Sequence, residues 1–294
     1  MITPFSKTWL QAIRPKTLPA GIAPVLLGTG LAFGDGVHDW PTAGVCLMAA
    51  LLIQIGTNLA NDYFDFEKGA DTAQRVGPTR VTQAGLVKPG EIKSAIILVF
   101  GLAVLCCIGL IIRGGWPIAI LAVLSILSGI FYTAGSRPLG YLGLGEIFVF
   151  IFFGLVAVGG TYYVQSFEIN PAIILAGAGP GFLSSAILAV NNLRDIETDA
   201  VSGKRTLAVR FGKPFAQMEY AALIALAAVM PVVIYFVTLD HVLTLAIAGI
   251  ILPALPAIHI VYTYTDERKL NQILTYTGLL LLLYSAGFAI GWIL

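Results

Sequence analysis

The sequence predicts an all-α membrane protein, a bundle of nine transmembrane helices with the N-terminus cytoplasmic and the C-terminus outside. Three observations carry this reading. Of the 294 residues, 57% are hydrophobic and only 11% charged, whereas a soluble domain carries about 25% charged residues. With a mean hydropathy of +0.88, the chain has too little polar surface to face water on all sides. Apolar segments long enough to cross a bilayer recur along its whole length, and 16 of the 17 Lys and Arg residues fall on one side of them.

A hydrocarbon core about 30 Å thick takes about 20 helical residues to cross. Residues 1–17 carry Lys7, Arg14 and Lys16. Pro15 and Pro19 interrupt the apolar run behind them and no small-residue cleavage site follows, so a cleaved signal peptide is not expected. The first span, 18–35, contains Gly21, Pro24, Gly28 and Gly30. Membrane helices tolerate these residues, and small side chains let helices approach closely. A short turn around Asp35–Asp39 leads into 42–61, and the long polar segment 62–93 precedes 94–113. The turn Arg113–Trp116 leads into 117–134, and segment 135–146 into 146–166. A turn at Glu168 precedes 171–191, and the second long polar segment, 192–214, precedes 215–238. Asp240–His241 opens 241–260, and 261–271 leads to the last span, 272–293. Composition is uniform throughout, so 1–294 reads as one membrane domain.

Lys and Arg near span ends mark the cytoplasmic side. Only Arg113 lies opposite, so the N-terminus and the 62–93 and 192–214 loops are placed in the cytoplasm and Leu294 outside. Function is expected in those loops. This composition excludes nucleic-acid binding, disorder and secreted disulfide scaffolds. Cys46, Cys106 and Cys107 lie within apolar runs without metal spacing. No Walker A loop, dinucleotide fingerprint or Ser/His/Asp arrangement is present, and His38, His241 and His259 are scattered.

Chemistry concentrates in two clusters. The first, 58–71, begins on the last turns of the second span. Asn58, Asp62 and Asp65 are spaced to share one helix face, as are Asn61 and Asp65, and Gly69 ends the helix before Asp71. The second, 191–199, ends the sixth span. Asn192, Asp195 and Asp199 again share a face, and Gly203, Lys204 and Arg205 follow. The pair reads as a weak internal repeat whose halves meet at one cavity mouth. Carboxylates so dense near a membrane interface repel one another and demand cations. All-oxygen donors point to Mg²⁺ or Mn²⁺ rather than zinc. Mg²⁺ shares its shell with substrate phosphate, and Arg75, Arg80, Lys88, Arg137, Lys204 and Arg205 surround the acids. A metal-bound diphosphate is therefore expected, with Arg137 and Arg80 the preferred basic pair. Glu146 is a candidate partner for Arg137, in a salt bridge or in the site.

At these residues the chain resembles the UbiA-type intramembrane prenyltransferases. Asn61-Asp62-x-x-Asp65 with Asp71 resembles their first aspartate-rich motif, and Asp195-x-x-x-Asp199 their second. The resemblance is closer to the 1,4-dihydroxy-2-naphthoate polyprenyltransferase branch. It is carried by Arg14-Pro-Lys-Thr-Leu-Pro19, Asn58-Leu-Ala-Asn-Asp-Tyr63, Lys68-Gly-x-Asp71, Arg75-x-Gly-Pro78, Tyr132-Thr133, the run Arg137 to Gly145, and Asn191-Asn-Leu-Arg-Asp195. The last third matches mainly in hydrophobicity. The wider gap between Asp65 and Asp71 agrees with this branch.

The resemblance implies a mechanism. Asp62, Asp65, Asp195 and Asp199 hold Mg²⁺, which binds a polyprenyl (or phytyl) diphosphate and promotes C–O ionisation. Arg137 and other basic residues at the mouth stabilise the departing charge. Asn58, Asn61, Tyr63, Asp71, Arg80, Tyr132, Asn192, Lys204 and Arg205 surround the substrates, and Tyr63, Phe66 and Tyr132 shield the allylic cation. The ring of 1,4-dihydroxy-2-naphthoate then attacks carbon and loses CO₂, with the lipid tail among the spans. The implied setting is a bacterial inner membrane or its equivalent, with the site facing the cytoplasm. Rival readings are a prenyltransferase acting on 4-hydroxybenzoate, homogentisate, haem or chlorophyllide, and a cation-coupled transporter. Against the transporter, the acids sit at span ends and not at the midplane.

Overall fold

The computed structural model describes residues 4–70 and 76–294, with the side chains of 4–6 left aside. It is all helical, with no strand among the described residues. The helices are α1 (Pro4–Ile13), α2 (Pro19–Gly34), α3 (Trp40–Glu67), α4 (Pro89–Phe131), α5 (Gly145–Phe150), α6 (Ala157–Ser166), α7 (Pro171–Arg194), α8 (Ile196–Val201), α9 (Leu207–Thr238), α10 (Ile251–Thr263) and α11 (Leu270–Ile293). A π-helical turn, Ile151–Val156, joins α5 to α6, and a 3₁₀ stretch, Val242–Ile250, leads into α10.

Helix starts follow local chemistry. The Asp39 carboxylate caps α3 by accepting from the Thr42 N–H at 3.1 Å, and that bond holds its carboxyl below the usual range. Asn170 caps α7 through the Ile173 N–H, and Pro171 at the first helical position needs no partner for a missing N–H. Thr206 caps α9 through the Val209 N–H.

Among the described residues, seven helices are long and apolar enough to cross a membrane, or eight if the bent pair Lys7–Thr17 and Pro19–Gly34, inclined at 52°, forms one span. Two features account for the difference from the nine expected. Helix α2 has only 16 residues, about 24 Å of rise. The expected spans 94–113 and 117–134 lie in the single 43-residue run α4, which if straight would be about 65 Å long, roughly twice the hydrocarbon core. It is not straight. Gly115 leaves helical geometry at φ 72° and ψ −158°, a conformation that suits a residue without Cβ. Phe100, before the bend, packs on Gly56 of α3, and Gly129, after it, packs on the neighbouring Thr57. Arg113, at the bend, pairs with Asp39 at the opposite end of α3 at 2.6 Å. The halves of α4 therefore run antiparallel along α3.

Helix α7 is the centre of the bundle. Its apolar window is 78% buried, against 17% for α4, which presents its surface outward. α7 packs on α9 and α11, and its small residues admit close neighbours. A Cβ on Gly154 would lie 2.6 Å from the Gly177 carbonyl oxygen, the small-residue packing of membrane helices. Opposite the aspartate motifs, Asp35 accepts from Tyr162 Oη at 2.6 Å and from Trp292 Nε1 at 2.8 Å, tying the ends of α2, α6 and α11 together.

A polar chamber joined to an apolar one

The ends of α3 and α7 bring both aspartate motifs to one cavity of about 190 Å³. Asn61, Asp65, Asn192, Asp195, Asp199, Arg14, Arg80, Tyr132, Tyr141 and Lys204 line it. A second cavity of about 310 Å³ adjoins it, sharing Gln54, Asn61, Tyr132, Phe153 and Leu188, and its lining is mainly apolar, with Thr57, Asn58, Ser125, Ser128 and Thr161 among the polar residues. It follows α3 from Asn61 to Cys46, about 22 Å at helical rise. Cations and carboxylates thus line the outer chamber, and a mainly apolar one adjoins it.

Asp65 is the hub of the polar chamber. It is buried; its Oδ2 accepts from Arg80 Nη2 at 2.9 Å and lies 3.3 Å from Lys204 Nζ, while its Oδ1 accepts from Tyr141 Oη at 2.9 Å. Lys204 Nζ also lies 3.8 Å from Asp199 Oδ1, so one ammonium joins the two motifs. The Tyr141 ring has Lys68 at 4.9 Å and Lys204 at 5.1 Å from its centroid. Lys68 also donates to the Thr133 carbonyl. Burial pushes the Lys68 ammonium below the ordinary lysine range; Asp65 opposes that shift and Lys204 adds to it. Gly143 makes this corner possible: at φ 68° it passes so near the Arg205 carbonyl that a Cβ would lie 2.6 Å from that oxygen.

Asp62 is held differently. Its Oδ2 and Oδ1 accept from the backbone N–H groups of Val81 and Thr82, each at 3.0 Å, with Arg14 Nη2 3.9 Å away. Asp62 does not line the chamber. Asp195, at the break between α7 and α8, receives both Nε and Nη2 of Arg194 at 2.8 and 2.6 Å, the fork that planar guanidinium makes on carboxylate. Asn61 accepts from Thr133 at 2.9 Å. Asn192 Nδ2 donates to Glu146 Oε1 at 2.7 Å, so the partner of Glu146 is Asn192 and not Arg137. Asn58 donates to the Ile13 carbonyl and to Thr17 Oγ1, both at 2.9 Å. These bonds pin the corner at which Arg14 takes a left-handed φ of 56°.

Other expected residues lie apart. Tyr63 donates to Glu67 on its own helix and does not line the chamber. Arg137 and Arg205 are exposed, and neither lines the chamber. Asp71 and Arg75 fall outside the described residues. Sequence reasoning gave no role to Arg14, Lys68, Tyr141, Arg194 or Asn271. Arg194 adjoins Asp195 and Tyr141 lies in the glycine-rich 137–145 run, whereas nothing around Asn271 marks it. Among the described residues, no three Asp, Glu, His or Cys side chains are gathered closely enough to hold a metal ion unaided. The oxygen-only donor set still suits Mg²⁺, which takes one or two carboxylates and completes its shell with water and phosphate oxygens.

Comparison with known proteins gives this arrangement a lineage. The family model described as the UbiA prenyltransferase family matches residues 21–286. A 1,4-dihydroxy-2-naphthoate octaprenyltransferase of Haemophilus influenzae is 37% identical over 305 residues, covering 99% of this chain and 97% of its own. One from Escherichia coli is 42% identical over 225 residues, covering 74% of this chain and 73% of its own. The structure of a UbiA homologue from Archaeoglobus fulgidus bound to DMAPP and Mg²⁺ superposes with a TM-score of 0.69 at 16% identity, covering 97% of this chain and 99% of that one, which shows a shared fold. Matched to the family model along most of its length and to relatives over nearly all of it, this integral membrane protein belongs to the UbiA prenyltransferase family.

Proposed function

We propose that this chain transfers a polyprenyl (or phytyl) group from its diphosphate to 1,4-dihydroxy-2-naphthoate, releasing diphosphate and CO₂, in the supply of menaquinone or phylloquinone. The names of its relatives support the donor and acceptor. One observation carries the site: Lys204 Nζ lies 3.3 Å from Asp65 of the first motif and 3.8 Å from Asp199 of the second. Both motifs thus face one cationic chamber, which is built for an anion beside carboxylates, and the adjoining apolar cavity suits an isoprenoid tail.

Asp65, Asp195 and Asp199 would hold Mg²⁺, or Mn²⁺ in its place, with Asn61 and Asn192 beside them. Bound there, the ion supplies Lewis-acid neutralisation of the diphosphate. Arg80, Arg14 and Lys204 bind the diphosphate oxygens and stabilise the charge that develops as the C–O bond breaks. Asp62 keeps the 81–82 backbone, and with it Arg80, in place. Tyr132 and Tyr141 turn aromatic surface toward the allylic carbon and exclude water from it. The naphthoate ring forms the new C–C bond and its carboxylate leaves as CO₂.

The topology is read as nine crossings, with the N-terminus and chamber cytoplasmic and the C-terminus outside, in a bacterial inner membrane or its equivalent. The antiparallel halves of α4 and the one-sided Lys and Arg layout support this.

The test is an acceptor assay on membranes containing the protein, with Mg²⁺ and a labelled polyprenyl diphosphate. Prenylation of the naphthoate with Mg²⁺-dependent release of diphosphate is expected. Transfer to 4-hydroxybenzoate alone would overturn the acceptor assignment.

A further inference from the structure

We propose that Asn271, at the start of the last helix, is a positioning residue for the second aspartate motif. The last third of the chain otherwise reads as hydrophobic span. The side chain of Arg194 is fully buried and its contacts are specific. Nε and Nη2 fork onto Asp195, Nη2 also reaches Asn191 Oδ1 at 2.7 Å, and Nη1 donates to Asn271 Oδ1 at 2.8 Å. Residues adjacent along a helix do not face each other. For Arg194 to turn back onto Asp195, its guanidinium plane needs anchors from outside the pair. Asn191 supplies one on the same helix, and Asn271 supplies the other from α11.

Asn271 also fixes the opposite motif. Its Nδ2 donates to the Val76 carbonyl at 3.3 Å, on the loop that carries Arg80 to Asp65. One amide therefore joins the first-motif loop to the arginine that orients the second motif. Its carbonyl end faces Arg194 and its amino end faces Val76, so the amide's orientation is determined. Partners of this kind behind metal-site carboxylates typically change metal affinity or activity by roughly 10–100-fold when removed.

The inference rests on the reading that Asp195 faces a metal diphosphate, and Mn²⁺ binding separates the two. Purified full-length protein in detergent is titrated with Mn²⁺ by electron paramagnetic resonance, with dimethylallyl diphosphate and no acceptor. Thermal stability, kcat and KM are measured alongside. Asn271→Ala is expected to weaken Mn²⁺ binding roughly tenfold and to lower kcat while KM for the aromatic acceptor stays near that of the parent. Asn271→Asp keeps the acceptor for Arg194 and loses the donor to Val76; it is expected to regain most of the Mn²⁺ affinity. Parental Mn²⁺ affinity in Asn271→Ala overturns the proposal. So does loss of Mn²⁺ affinity in step with thermal stability in both variants, the mark of a purely structural role. A parent protein that binds no Mn²⁺ with the diphosphate present overturns the underlying metal-site reading, and the proposal with it.

Discussion

Asp65 and Asp195 occupy matching places in two similar sequence motifs, yet the fold holds them by different means. Asp65 gathers Arg80, Tyr141 and Lys204, which stand 15, 76 and 139 residues away. Asp195 is forked by the residue next to it. The other acid of each motif differs as well: Asp62 faces backbone N–H groups and Asp199 lines the chamber. The two motifs are alike in residue type but are held in place by different means. The first is assembled by distant segments, so the 76–88 loop, the 139–142 turn and the 203–206 turn converge on it. The second is built locally around Arg194, with Asn271, Lys204 and Glu146 among its links outward.

Substitution of the hub should have the largest effect. Asp65→Ala removes a chamber carboxylate and breaks the buried pair with Arg80. Breaking a buried pair costs about 3–5 kcal/mol. Turnover should fall at least roughly 10²–10³-fold, together with a drop in thermal stability. Asp195→Ala should lose turnover similarly. Normal turnover in either variant would remove that residue from the site. Asp62→Asn sharpens the contrast. The amide keeps one acceptor for the 81–82 backbone and loses the other. Turnover should fall about tenfold, the scale of a supporting partner, and the 76–88 loop should become easier to cleave in limited proteolysis. A loss as deep as that of Asp65→Ala with an unchanged cleavage rate would make Asp62 a direct metal ligand.

Much of the chamber was legible in advance because charge is scarce here: few residues outside the two clusters could hold a metal diphosphate. Asn61, Asp65, Arg80, Tyr132, Asn192, Asp195, Asp199 and Lys204 all line it. Helical spacing could not tell how Asp62 and Asp65 would be held, because both lie on one face and it is a loop twenty residues on that bonds Asp62. Asn271 was invisible for the same reason: its partners are 77 and 195 residues away, and no local pattern encodes them. The bend of α4 at Gly115 falls within the Arg113–Trp116 turn expected between two apolar stretches that each read as a span. Periodicity reports which face is apolar; it does not report which distant segment covers it.

Lys204→Met tests the bridge between the motifs. A hydrogen bond to a charged group contributes about 1.5–3 kcal/mol, so KM for the prenyl diphosphate should rise roughly tenfold or more, with a smaller change in the acceptor KM. An unchanged diphosphate KM would leave the two motifs converging without a shared ligand.

Arg137 and Arg205 mark the small end of the scale. Both carry positive charge beside the acids in sequence, and that placement drew both toward the site. In the fold, Arg137 projects from the 135–138 turn and Arg205 contributes its backbone: its N–H donates to the Tyr141 carbonyl at 3.0 Å and its carbonyl accepts from Arg210 Nε. Exposed charges are screened by water and salt, and single exposed pairs are worth about 0–1 kcal/mol. Arg137→Gln and Arg205→Gln should therefore each change kcat/KM by less than about fivefold, with the effect shrinking as salt is raised. A tenfold loss in Arg137→Gln that persists at high salt would mean that the 135–138 turn closes over the chamber when the diphosphate binds. The site would then draw a further segment onto the first motif and no further one onto the second, widening the asymmetry between them.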